Sequence, residues 1–125
     1  MAIQTGDVLT YSRTFSVEET LQFGEISGDK GIHHVEKDES GRLMVHGLLT
    51  ASIGTKIGGD LNYIARNLDL LFKRPVFTGD TVSCEATLSD VKQKEDYKEV
   101  SVTFVYTNQL GKEVLLGTSS GIIRK

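Results

Sequence analysis

Gly47-Leu48-Leu49-Thr50-Ala51-Ser52-Ile53-Gly54-Thr55-Lys56-Ile57 is nearly uncharged, rich in small residues and followed by Gly58-Gly59. A helix apolar all round has no face to offer water, so it belongs inside the molecule. The stretch predicts a buried helix over 47–57 with the glycine pair as its C-cap. An enclosed helix needs a layer to enclose it.

That layer follows in sequence. Residues 62–73, 81–93, 97–108 and 113–124 read as successive antiparallel strands, with turn signals at Thr78-Gly79-Asp80 and Asn108-Gln109-Leu110-Gly111. Val82, Cys84, Ala86 and Leu88 alternate with Ser83, Glu85, Thr87 and Ser89, and Val100, Val102, Phe104 and Tyr106 repeat the pattern. Such alternation covers one face and wets the other. Upstream, residues 8–15 form a further strand. Ser16-Val17-Glu18-Glu19 then supplies a capping box for a helix running to about Ile26, with Val17, Leu21 and Phe23 as its inward candidates, before Ser27-Gly28-Asp29 ends it. The predicted class is α+β: a curved antiparallel sheet of about five strands wrapped around a central buried helix, the hotdog fold. A chain of 125 residues, 38% hydrophobic and 25% charged, can bury one core and asks for no second, so 1–125 reads as a single domain. The sheet leaves edges that a second copy would cover, which predicts a homodimer or a dimer of dimers.

Composition removes several functions. A formal charge of −3 with scattered lysines and arginines offers no cationic face to a phosphate backbone, so nucleic acid is not expected as a partner. Cys84 is the single cysteine, sits in an apolar alternation and reads as a packed thiol in a reducing compartment. No window approaches the roughly 20 apolar residues that cross a bilayer, and the first ten residues lack a basic head before an apolar stretch. The expectation is a cytoplasmic protein without a membrane partner.

Residues 27–45 show neither helical nor strand periodicity and hold Asp29, His33 and His34, with His46 just beyond. On one reading, Ser27-Gly28-Asp29 is a turn whose carboxylate satisfies its own loop amides. On the other, Asp29 and His34, five positions apart in a glycine-loosened segment, converge on one water molecule, one group accepting its proton while the other orients it. Metal binding by His33, His34, Glu36, Asp38 and His46 competes, but no familiar ligand spacing is present and adjacent histidines are expected to point apart, so no metal is predicted. Serine or cysteine nucleophiles lack their signatures, and Gly58-Gly59-Asp60 lacks the Gly-Lys-Ser/Thr of a phosphate loop. Gly47 opens the buried helix, so its N–H stands at the positive end of the dipole, ready for an anionic oxygen; close packing explains a glycine there equally well. Ser52 and Thr55 add hydroxyls that the preceding helical turn can also satisfy.

Phe23-Gly24-Glu25-Ile26-Ser27-Gly28-Asp29, then His34, then Val45-His46-Gly47-Leu48-Leu49-Thr50-Ala51-Ser52 resemble the MaoC-like family of (R)-specific enoyl-CoA hydratases and dehydratases. Leu71-Phe72-Lys73-Arg74-Pro75-Val76-Phe77-Thr78-Gly79-Asp80-Thr81-Val82 is similar to that family's strand junction, so the likeness spans nearly the whole chain. The resemblance implies a hotdog dimer in which Asp29 and His34 hold the water that adds to a trans-2-enoyl thioester, giving an (R)-3-hydroxyacyl product, or the reverse dehydration. It implies that Gly47 contacts the thioester carbonyl and that Thr55 stands where relatives can carry a serine. No separate cofactor is implied, since CoA or acyl-carrier phosphopantetheine arrives with the acyl-thioester substrate. The sequence departs from the family at Gly31-Ile32, where relatives have Asn-Pro, and in a shorter stretch from His34 to His46. Thioester hydrolysis on the same scaffold and acyl-thioester binding without chemistry are the alternative functions. Lys56, Arg66, Lys73 and Arg74 are the candidate cations for CoA phosphates.

Overall fold

Val82, Cys84, Ala86 and Leu88 are sealed completely from solvent in the computed structural model, which describes residues 2–124. They project from β3 (Thr81–Gln93) onto α3 (Gly47–Asp60). The remaining strands are β1 (Val8–Thr14), β2 (Tyr63–Phe72), β4 (Tyr97–Thr107) and β5 (Glu113–Arg124). All pair antiparallel in one five-stranded sheet of order β1-β3-β4-β5-β2. The sheet wraps α3 in the hotdog arrangement, with Ala51, Ile53 and Ile57 of the helix buried against Val100, Val102, Phe104 and Tyr106. Each aliphatic side chain of this size stabilises the fold by about 1.5–3 kcal/mol when fully buried.

Two local expectations change. Helix α3 does not stop at Gly58-Gly59 but continues to Asp60, where a Lys56–Asp60 pair one turn apart supports its end. Leu61 and Asn62 then donate back to the Gly58 and Gly59 carbonyls, and Asn62 takes the left-handed conformation, φ 56°. In α1 (Val17–Ser27) the Ser16–Glu19 capping box forms as expected, but Leu21 faces solvent, and Thr20 and Gly24 are the buried positions. The buried stripe of α1 is thus narrow and made of small residues.

The segment after α1 also gains structure. Gly28 closes α1 with φ 81°, a conformation suited to glycine, and Ile32–Val35 winds into one helical turn, α2, where an irregular loop was expected. Residues 43–45 are clamped by the 76–78 strand junction: Val45 donates to the Val76 carbonyl, Thr78 donates to the Leu43 carbonyl, and Met44 bridges Phe77. No helix among the described residues is long and apolar enough to cross a membrane.

Candidate active site

Asp29 sits between two helices and is held by its neighbours. Its N–H donates to Ser27 Oγ at 3.0 Å, and its Oδ1 accepts the Gly31 N–H at 3.1 Å. The other oxygen, Oδ2, faces His34 Nε2 at 3.8 Å. One carboxylate oxygen thus serves the turn, and the other is turned toward the imidazole. The carboxylate is 57% exposed, whereas His34 is buried.

His34 is oriented from behind. Its Nδ1 lies 2.7 Å from the Met44 carbonyl oxygen. A carbonyl only accepts, so Nδ1 carries the proton, and the lone pair of neutral imidazole lies on Nε2, toward Asp29. The 3.8 Å gap is too long for a direct hydrogen bond and suits a water seated at the apex between two acceptors.

Beside His34 opens a cavity of about 240 Å³ whose wall includes His33, His34, Gly47, Thr50, Phe72 and Arg74. Gly47 packs as tightly as expected: a Cβ there would lie 2.6 Å from the Phe72 ring. Its place at the head of α3 is equally real, since the first intrahelical bond runs from the Thr50 N–H to the His46 carbonyl. Thr55 is elsewhere. With Ala51, Gly54, Gly58 and Leu68 it lines a second, largely apolar cavity of about 300 Å³ between α3 and β2. Ser52 lines neither cavity, and its hydroxyl donates to the Leu49 carbonyl.

The expectation that His33 and His34 point apart is overturned. Their ring centroids are 3.9 Å apart, because the α2 turn carries both to the same cavity. His33 is the exposed member, without the carbonyl anchor that His34 has. His46, a candidate metal ligand by sequence, is buried and stacked on His34 at 3.8 Å with 15° between planes. Asp29, His34 and His46 bring ligand atoms within 4.8 Å of one another. Parallel imidazoles aim their lone pairs side by side rather than at one point, which does not suit a tetrahedral metal. Of the four candidate cations only Arg74 lines the site cavity. Lys73 pairs with Glu113 at 2.8 Å and, with Arg74 adding, holds that carboxyl below its usual range. Cys84 is walled in, and burial pushes its thiol up to about 12, which leaves no thiolate for chemistry.

Residues 43–116, more than half of the chain, match the family model described as FAS1-like, dehydratase domain region. Asp29 and His34 precede the matched stretch. Among solved structures, the (R)-hydratase of A. caviae involved in PHA biosynthesis is 24% identical, with a TM-score of 0.85, covering 99% of this chain and 98% of that one. The monoamine oxidase regulatory protein of Archaeoglobus fulgidus is 26% identical, with a TM-score of 0.77 and coverage of 98% and 92%. The MaoC-like dehydratase of Rhodospirillum rubrum is 18% identical, with a TM-score of 0.79 and coverage of 98% and 94%. No curated protein matches the chain by sequence.

Proposed function

This chain belongs to the FAS1-like dehydratase domain region family, and on that premise we propose that it interconverts trans-2-enoyl and (R)-3-hydroxyacyl thioesters. The observation that carries this reading is the facing of Asp29 Oδ2 and His34 Nε2 across 3.8 Å, with His34 itself lining a cavity that reaches the head of α3. Both groups present acceptors to the gap. A water there donates both its hydrogens and keeps an oxygen lone pair for the substrate.

Asp29 takes the proton while His34 orients the water. The water oxygen bonds to the β-carbon, the π pair moves to the thioester oxygen as an enolate, and the proton returns to the α-carbon, so one water is added whole. The Gly47 N–H meets the enolate oxygen at the positive end of the helix dipole. The apolar space along Ala51, Gly54 and Gly58 receives the acyl chain, with the Thr55 hydroxyl at its edge. Arg74, at the wall of the first cavity, takes a phosphate of CoA or of an acyl-carrier arm. The working unit is a homodimer that covers the exposed apolar residues of β2.

Purified protein incubated with crotonyl-CoA and with a saturated acyl-CoA, following enoyl absorbance and free thiol separately, tests the reading. Loss of enoyl absorbance without thiol release is expected. Thiol release from the saturated substrate would make it a thioesterase, and silence in both channels would make it a binding protein.

A further inference from the structure

His46 occupies the N-cap of α3, where serine, threonine, aspartate or asparagine normally folds back onto the first free amides. Its side chain makes no such bond and reaches away from the helix. Its Nε2 lies 2.8 Å from the Asp29 carbonyl oxygen, so Nε2 carries the proton and donates. Its ring lies flat against His34 and meets Phe23 edge-on at 4.9 Å. The remaining nitrogen, Nδ1, is buried without a partner among the described residues. An unpaired buried acceptor and a missing side-chain cap both cost stability. A cap would also have covered the amides that the proposed chemistry needs.

We propose that His46 is the positioning residue of this site, tying the backbone of Asp29 to the ring of His34 while leaving the head of α3 open. The inference rests on the hydratase reading for its kinetic arm only. Asp29 lies within the Gly28–Gly31 turn and His34 on the helical turn after it, and the two share no direct hydrogen bond. His46 contacts both, through one donor and one ring face. Without it, the carboxylate would keep its Gly31 anchor, but the imidazole would lose the ring that holds it in line with the Met44 carbonyl, and the two groups would lose their common reference.

Two variants separate the contacts. His46→Phe keeps the ring face and loses the donor; His46→Gln keeps a donor and loses the ring. A positioned acid or base contributes about 10²–10⁴-fold, so variants that loosen its placement should each lower kcat for crotonyl-CoA hydration by about 10-fold or more, with KM nearly unchanged. Imidazole nitrogen NMR of His34 should show one Nδ1-protonated tautomer in the parent protein and a mixture or broadening in His46→Gln, which lacks the stacked ring. Thermal unfolding chooses the comparison, and if His46→Phe does not fold, His46→Gln carries the test alone. Unchanged kcat, or a loss confined to KM with unaltered His34 signals, overturns the proposal. If the parent protein shows no hydration, the hydratase reading falls, and the His34 spectrum alone decides: a disturbed tautomer upholds the positioning role, an undisturbed one removes it.

Discussion

At the scale of single residues, the decisive difference is between two neighbouring imidazoles. His34 is 6% exposed and anchored to a carbonyl, while His33 shares the cavity wall from the solvent side. Asp29→Asn and His34→Ala should each lower hydration by at least about 100-fold, the lower range for a positioned acid or base, with melting temperature retained. His33→Ala should do much less in the same steady-state assay. A His33→Ala variant without turnover, beside an active His34→Ala, would reverse the two roles. The spacing of Asp29 and His34 could be read directly from sequence because both lie within one short segment. The role of His46 could not, since it depends on a ring stack and a carbonyl contact that form only when α3 docks. The available signal was weak: a histidine at a helix start, where it has no capping advantage.

Among elements, α3 and the strands could be read from sequence because long runs repeat their pattern many times, as Val82 to Leu88 and Val100 to Tyr106 do. The four-residue α2 could not, because one turn contains no period, and the 47–57 helix was cut short by giving Gly58-Gly59 a capping role that falls to Leu61. Close approach of helix and sheet yields a contrast between two glycines. A Cβ on Gly54 would lie 2.4 Å from the buried Tyr106 hydroxyl, which is fixed by its bond to the Ala51 carbonyl. Gly54→Ala should therefore cost about 1–3 kcal/mol in urea denaturation. Gly47→Ala should cost less, because the half-exposed Phe72 ring can swing outward, yet it should raise KM by moving a cavity wall. At α1, the Ser16 N–H, with help from Arg13, holds the Glu19 carboxyl below its ordinary value of 4.5. A depressed acid stabilises the fold above its unfolded pKa and loses that contribution as pH falls through the folded one. Glu19→Gln should accordingly flatten the decline of melting temperature below pH 4.5.

For the whole molecule, β2 stands out, being an edge strand whose two faces are mostly open. Ile64, Leu68, Leu71 and Phe72 are all exposed along it. An apolar edge of that length invites a second strand, and a copy of the same chain supplies one. Leu68→Lys or Leu71→Lys should shift the protein from dimer to monomer in sedimentation; a monomeric parent would remove the expectation. The Met44 carbonyl that sets the His34 proton belongs to a connecting segment, held by its bridge to Phe77 rather than by the main sheet. Such segments open at lower free energy than the sheet beside them. Warming should therefore free the imidazole to exchange its proton between nitrogens while the strands stay paired, so that turnover drops reversibly several degrees before circular dichroism records melting. Superimposed curves would mean that the 43–45 clamp and the sheet open as one unit.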